Sequence, residues 1–132
     1  MGYTPRVQRF LIVCGAGALG CGARYQISLW AQARFGTKLP YGTLLVNVLG
    51  AFAIALVMEL SVRIADFSPN LRLAIATGLL GGLTTYSSFN YETTQLALNG
   101  SLGRAAVNLV LTVVACLTAG LLGLALARKL AG

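Results

Sequence analysis

The residues of this 132-residue chain whose types and spacing could best bind an ion or a ligand lie close together, in the stretch GLLGGLTTYSSFNYE (Gly78–Glu92). Two aromatic residues, Tyr86 and Phe89, are three positions apart and would share one face of a helix. The edge of an aromatic ring carries partial positive charge. Hydroxyl donors surround the two rings, at Thr84, Thr85, Ser87 and Ser88. Donors and ring edges together would offer an anion a dehydrated path without a fixed cation to trap it.

Two glycines, Gly81 and Gly82, precede these donors within an otherwise apolar run. Because glycine readily leaves helical backbone angles, the pair predicts a helix break at this point. Broken backbone at membrane depth is tolerated where it is buried in protein or lines a cavity. Freed carbonyls bind cations, and the N-terminus of a half-helix attracts anions. We therefore interpret the stretch as functional and not as a polar packing seam.

The hydrophobic pattern predicts the elements that must position this stretch. Hydrophobic residues make up 57% of the chain and charged residues 10%, against about a quarter charged in soluble domains. Uncharged runs at 39–58, 73–91 and 105–127 approach or exceed the ~20 residues that cross a bilayer as a helix. The sequence predicts an all-α integral membrane protein with a single domain (1–132). It would have four transmembrane helices, the third broken mid-membrane, at about 10–30, 41–60, 71–98 and 104–128.

Basic residues flank the predicted spans, so the net charge of +7 indicates interfacial anchoring and not nucleic-acid binding. Six lie on the side of the two termini, and three or four on the other side, depending on where Arg24 is counted. This small bias fits cytoplasmic termini and equally a chain that inserts in both orientations. We expect a multi-pass protein of the inner (plasma) membrane, without a cleaved signal peptide.

Residues for enzyme chemistry are scarce. The chain has no histidine, and its three acids, Glu59, Asp66 and Glu92, are far apart in sequence, so an enzyme is not expected. The three cysteines have no CxxC spacing and predict neither a disulfide framework nor a zinc site. GAGALG (Gly15–Gly20) lacks the preceding strand of a dinucleotide site, and its small residues indicate close helix packing.

Polar residues also lie inside other predicted spans. Asn47 would either join helices, the commoner use of a lone membrane asparagine, or line a polar path. Arg24 would either anchor the first span or raise the anion concentration at a vestibule. Asn108, Thr112 and Cys116 are spaced i, i+4, i+8 and would form one stripe on the fourth span.

These residues carry a specific likeness. GGLTTYSSFNYE (Gly81–Glu92) resembles the G-G-L-T-T-F-S-T-F signature, followed by glutamate, of the Fluc fluoride channels, also called the CrcB family. GTLLVNVLGAF (Gly42–Phe52) and GALGCGARY (Gly17–Tyr25) resemble the second- and first-span segments of that family. The resemblance implies an antiparallel, dual-topology homodimer in the lipid bilayer, with two narrow pores through which fluoride leaves the cytoplasm passively.

The resemblance also implies roles for single residues. A central structural sodium ion (Na+) would be held by the backbone carbonyls of Gly81 and Thr84. Arg24 and Glu92 would occupy the family's arginine and glutamate positions, at the vestibule. The fluoride path would be lined by Asn47, Tyr86, Ser87, Phe89, Asn108 and Thr112. Two residues depart from the family pattern: Tyr86 replaces the usual phenylalanine and adds a hydroxyl, and Asn108 stands where tyrosine is expected.

Two other functions are alternatives to a fluoride channel. A small proton-coupled drug exporter can also be a four-span, dual-topology dimer, but it needs a membrane-embedded carboxylate that exchanges protons for substrate. The first span has no acid, and Glu92 lies beyond the polar motif. A non-transporting membrane scaffold would not require the donors that are concentrated between Gly78 and Phe89.

Overall fold

A computed structural model describes residues 5–132, so the first four residues of the predicted domain lie outside the described residues. Within 5–132 the chain consists of helices and short connections without a β-strand, which confirms the all-α prediction. The elements in order are α1 (Pro5–Phe35), α2 (Tyr41–Arg63), α3 (Pro69–Arg72), a π-helical segment π1 (Leu73–Leu79), α4 (Leu80–Leu83), α5 (Tyr86–Leu98) and α6 (Leu102–Ala131).

Three of these helices, α1, α2 and α6, are long and apolar enough to cross a membrane. They extend beyond the predicted first, second and fourth spans, because the helices continue into their charged flanks. The predicted third span, about 71–98, is instead a series of shorter pieces from α3 to α5. Four membrane crossings therefore stay a prediction.

The helices are arranged around α2. Both α1 and α6 pack against it, and the series from α3 to α5 crosses over it: π1 and α4 lie against α1, whereas α5 lies against α6. The third segment thus runs from one flank of the α1–α2–α6 layer to the other.

Close packing between helices depends on glycine, as predicted. A Cβ atom on Gly20 of α1 would collide with the backbone of Leu79, and one on Gly82 would collide with the carbonyl oxygen of Gly17. On α6, a Cβ on Gly123 would collide with the backbone of α2. Small residues let these backbones approach closely. The space around two further glycines is open, at Gly15 and Gly22.

The π-helical segment π1 was not predicted from the sequence. At its end the N–H of Leu80 donates to the carbonyl of Ile75, five residues back. Such segments are rare and often lie at functional sites. Inside π1, Gly78 approaches the backbone carbonyl of Val13 so closely that a Cβ atom would lie 3.2 Å from it. The altered winding is therefore combined with tight packing on α1.

The third predicted span is interrupted, but not at the residues expected. Gly81 and Gly82 are helical and belong to α4, whereas Thr84 (φ −84°, ψ 156°) and Thr85 (φ −154°, ψ 115°) are extended. The predicted position was wrong because Gly82 is needed for close packing on α1 within a helix. The break itself is stabilised by side-chain hydrogen bonds with partners distant in sequence, which local glycine content does not reveal.

Candidate functional site

The centre of the candidate site is the contact between Asn47 on α2 and the backbone of Thr85 at the break. Asn47 Nδ2 donates to the Thr85 carbonyl (3.0 Å), and Asn47 Oδ1 accepts from the Thr85 N–H (2.8 Å). Both backbone groups of an extended, buried residue are thus paired by one side chain. This satisfies groups that would otherwise be costly to bury at membrane depth.

A cluster of hydroxyl groups lies where α5 begins. Thr85 Oγ1 accepts from the N–H of Ser88 (3.1 Å), which makes Thr85 the N-cap of α5. The same oxygen lies 3.1 Å from Ser88 Oγ and 3.2 Å from Ser87 Oγ. Three hydroxyls therefore meet at the positive end of a 13-residue helix, a position that favours an anion.

The same hydrogen bonds free two carbonyl oxygens. In an α-helix, the carbonyl of Gly81 would accept from the N–H of Thr85, but that N–H is donated to Asn47. The carbonyl of Thr84 would likewise accept from the N–H of Ser88, which is donated to the Thr85 hydroxyl. Gly81 and Thr84, the residues expected to hold sodium, thus lose their helical partners for a reason visible in the structure. Free backbone carbonyls are hard oxygen ligands, suited to an alkali cation.

The two aromatic side chains predicted for the site contact each other but differ in environment. The rings of Tyr86 and Phe89 have centroids 5.7 Å apart and are tilted by 58°. Phe89 is buried within the chain, with 6% of its surface exposed, whereas Tyr86 is 79% exposed. Phe89 therefore belongs to this chain's own interior, and Tyr86 extends away from it.

The polar stripe on α6 reaches the site through a threonine that the sequence analysis did not include. Asn108 Nδ2 donates to Thr93 Oγ1 (2.8 Å), and that hydroxyl donates to the Phe89 carbonyl (2.7 Å). Asn108 is 2% exposed. One turn further along, Thr112 is also buried, but its hydroxyl has no hydrogen-bond partner among the described residues. The only indication of this role in the sequence is that Thr93 lies four residues after Phe89, on the same face of the helix.

A cavity of about 350 Å³ opens at the end of the bundle where α2 begins. Glu92 lies in its wall, and Glu92 Oε1 accepts from Thr43 Oγ1 (2.9 Å), while Oε2 is buried without a partner in the described chain. Thr43 was not predicted as a site residue. The lining is mixed: it includes the apolar residues Leu39, Pro40 and Leu96 and the polar residues Ser28, Gln32, Thr43, Glu92, Gln95 and Asn99.

Arg24 does not line this cavity. Its guanidinium lies 3.8 Å from the sulfur of Cys21, one turn earlier on α1. Of the two residues predicted for the vestibule, the structure therefore places Glu92 in a cavity and Arg24 on the side of its own helix.

Comparisons with known proteins give the family. Residues 11–124 match the family described as CrcB-like protein, Camphor Resistance (CrcB). The Fluoride-specific ion channel FluC of Anaeromyxobacter sp. (strain K) is 52% identical over 124 residues, or 94% of this chain and 98% of the relative. The protein of the same name from Citrifermentans bemidjiense is 49% identical (94% and 100%), and that from Sorangium cellulosum is 45% identical (94% and 98%). This chain belongs to the CrcB family.

Proposed function

We propose that this chain is the subunit of a fluoride-selective channel that lowers cytoplasmic fluoride by passive export. The observation that carries the proposal is the hydroxyl cluster at the start of α5, which Asn47 holds in place within a segment that has no charged residue from 73 to 91. The relatives named as fluoride-specific channels share nearly the whole length of this chain. Their shared name supports fluoride as the ion.

The chemistry of fluoride fits this cluster. Fluoride is a small, strongly hydrated hydrogen-bond acceptor, so removing its water requires a dense set of donors. Ser87 and Ser88 supply hydroxyls, and the unpaired N–H groups in the first turn of α5 add a positive field. Neutral donors at this point stabilise the anion without the deep trap that a lysine or arginine would create.

The remaining path is proposed from the polar groups that adjoin the cluster. Phe89 offers a ring edge, and Asn108 is connected to its backbone through Thr93. The buried, unpaired hydroxyl of Thr112 extends the same stripe. The cavity beside Glu92, with several polar groups in its wall, would serve as one vestibule, with Arg24 acting through its charge. The residues proposed to line the ion path are Asn47, Tyr86, Ser87, Phe89, Asn108 and Thr112.

Passive transport agrees with the position of the acids. Hydrogen fluoride is a weak acid that crosses membranes in its neutral form and dissociates inside, and an inside-negative potential then favours exit of the anion. Coupling to protons would require a carboxylate that is free to exchange them. Glu59 is instead held by Arg63 (2.8 Å) and Arg128 (3.0 Å). Glu92 lies in the wall of the cavity, beyond the hydroxyl cluster at the start of α5. The ion pairs of Glu59 and the absence of an acid from 73 to 91 support a channel over a proton-coupled exporter.

The proposed assembly is an antiparallel homodimer of four-span subunits with two pores. The charge bias between the two sides is small, which suits insertion in both orientations. Tyr86 projects from the chain with 79% of its surface exposed, next to the buried ring of Phe89. A second copy facing this side would enclose Tyr86 and place aromatic rings from both subunits near each ion path.

A sodium ion at the centre of the dimer is proposed as a structural cofactor. Gly81 and Thr84 fit this role, because their carbonyls have lost their helical partners and Gly81 is exposed on the chain's surface. Two copies would together supply enough oxygens for an alkali cation. When bound, the ion would join the two broken segments and neutralise their carbonyl dipoles.

Fluoride release from liposomes tests the proposed function. Purified protein is reconstituted, and efflux is followed with a fluoride electrode after the membrane potential is set. We expect rapid fluoride release and little chloride release from the same vesicles. Fluoride release no faster than from protein-free vesicles would overturn the channel proposal.

The topology needs a separate measurement. A tag fused to the C-terminus should be accessible to a membrane-impermeant label from both sides of the membrane in intact cells and inverted vesicles. Labelling from one side alone would exclude the antiparallel arrangement, whatever the fluoride flux.

A further inference from the structure

Thr77 and Asn90 are exposed polar residues of the third segment that lie close to its break. Thr77 lies in π1 and Asn90 lies on α5, and both are exposed. Neither side chain makes a hydrogen bond with any residue between 5 and 132. The proposed function assigns neither of them a role.

The side chains of Thr77 and Asn90 would lie within the hydrocarbon core, where an unpaired polar group is costly. The methyl group of Thr84 fills the space beside Gly50, near the middle of α2, so the break lies near mid-membrane. Thr77 precedes Thr84 by seven residues and Asn90 follows Thr85 by five, or roughly 10.5 Å and 7.5 Å at 1.5 Å per residue. Both distances are smaller than half of the ~30 Å hydrocarbon core. An amide side chain at that depth requires a partner.

Neither lipid nor the cavity supplies that partner. Hydrocarbon chains form no hydrogen bonds, and asparagine is too short to reach the headgroups from this depth. The cavity at the start of α2 is lined on α5 by Tyr91, Glu92 and Gln95, and not by Asn90. The remaining partner for the Asn90 amide is another protein chain.

A second, antiparallel copy has complementary groups at the right level. The third segment lies against α1 through π1 and against α6 through α5, and Thr77 and Asn90 stay exposed on it. An antiparallel two-fold axis through the break inverts depth, so it brings Asn90 of one copy to within about 3 Å of the level of Thr77 of the other. In a parallel pair, each residue would instead lie level with its own copy.

We propose that Thr77 of one subunit and Asn90 of the other form a hydrogen bond across the dimer interface, and that the symmetry creates this bond twice, once on each side of the break. The inference rests on the proposed antiparallel dimer. The threonine hydroxyl both donates and accepts, and the amide offers an acceptor and donors, so the two groups are complementary. The pair fixes the register of the two broken segments and thereby the opposition of the freed carbonyls of Gly81 and Thr84.

Substitutions with similar shape test the pair. Thr77→Val and Asn90→Leu remove the polar groups without removing volume, and in a lipid-facing position both would be neutral or stabilising. We expect each to weaken dimerisation by about tenfold or more, because the symmetry removes two interhelical bonds. The double variant should be no weaker than the weaker single variant. Thr118→Val removes an exposed hydroxyl from α6 and serves as the control, with unchanged dimerisation expected.

Cross-linking tests the geometry. The three native cysteines are first replaced by alanine, at Cys14, Cys21 and Cys116. The double variant Thr77→Cys/Asn90→Cys should then give a covalent dimer with a short bifunctional thiol reagent, whereas either single variant should not. Efficient cross-linking of the single variants, or additive losses in the double-mutant cycle, would overturn the pairing. If such a result is accompanied by normal fluoride efflux, it overturns the pairing and leaves the proposed function standing. If the wild-type protein shows no fluoride efflux, the proposed function is overturned and the pairing is not.

Discussion

Asn47 and Thr85 are 38 residues apart, yet the side chain of one pairs both backbone groups of the other, at 3.0 Å and 2.8 Å. Because the Thr85 N–H is used in this way, the Gly81 carbonyl is released from the helix. The amide thus pairs the backbone at the point where the third segment breaks, while the Thr85 hydroxyl caps α5. The packing role of Asn47 and its proposed place on the ion path rest on the same hydrogen bonds.

Replacement of Asn47 by leucine should damage stability and transport together. Asn47→Leu keeps the volume but leaves the buried Thr85 N–H and carbonyl unpaired, at a cost of about 1–3 kcal/mol for each group. Thermal unfolding in detergent should occur at lower temperature, and fluoride efflux should be lost. Asn70→Leu, at an exposed position of α3 outside the cavity, is the matched control and should change neither quantity. Wild-type stability in Asn47→Leu would show that the break does not depend on the amide.

The sequence predicted the class of fold because that class depends on local composition. Long uncharged runs predict membrane helices wherever they pack, and glycine spacing predicted close helix contacts such as Gly20 against Leu79. The exact position of the break could not be predicted in the same way. It depends on Asn47, which is distant in sequence, and on Thr85, whose hydroxyl caps α5.

The site was predicted unevenly for the same reason. The stripe of Asn108, Thr112 and Cys116 follows from helical spacing, and the structure buries the first two and leaves Cys116 half-buried. Thr43 and Thr93 were missed, since each acquires its role only from a partner on another helix. The sequence contains no sign of π1, because its winding follows from packing against α1 and not from residue type.

The buried ring of Phe89 should be required for flux more than for folding. Phe89→Ile keeps an apolar side chain of similar bulk and should cost about 1.5 kcal/mol or less, but it removes the ring edge that is proposed to face the anion. We expect a folded dimer with most of its fluoride efflux lost. Equal efflux in wild type and Phe89→Ile would show that the ring only packs.

The exposed ring of Tyr86 allows the hydroxyl and the ring to be separated. Tyr86→Phe retains the ring edge and should be mild in the efflux assay, whereas Tyr86→Ile should be severe. Because Tyr86 is 79% exposed, neither change should disturb the folding of a single chain. A severe Tyr86→Phe variant would mean that the hydroxyl itself is a required donor.

Two adjacent glycines should respond differently to alanine. A Cβ on Gly82 would collide with Gly17 and lie 3.0 Å from Cys21 N, so Gly82→Ala should destabilise the subunit itself. A Cβ on Gly81 would have its nearest neighbour at 4.0 Å within the chain, so Gly81→Ala should leave the subunit folded. If a second copy and sodium lie against Gly81, dimerisation should nevertheless fall, as measured by size-exclusion chromatography. A fully dimeric Gly81→Ala protein would contradict that arrangement.

Sodium removal should weaken the dimer if the freed carbonyls hold the ion. Purification with a bulky organic cation in place of sodium would leave the carbonyls of Gly81 and Thr84 opposing one another without a counter-charge. We expect loss of dimer in detergent and recovery when sodium is returned. Unchanged dimerisation in rigorously sodium-free buffer would remove the metal from this account.

Substitution of Thr112 distinguishes a structural role of its hydroxyl from an ion-binding role. Its oxygen is buried with no partner in the described chain, so Thr112→Val replaces an unsatisfied polar group by a methyl of the same size. Stability should therefore stay the same or rise slightly, by up to about 1 kcal/mol. If the hydroxyl donates to fluoride in transit, efflux should fall several-fold although the protein has become no less stable. Thr112→Ser retains the donor and should restore most of the efflux, despite the small cavity it leaves. Undiminished efflux in Thr112→Val would exclude this hydroxyl from the path, and the α6 stripe would then contribute through Asn108 alone.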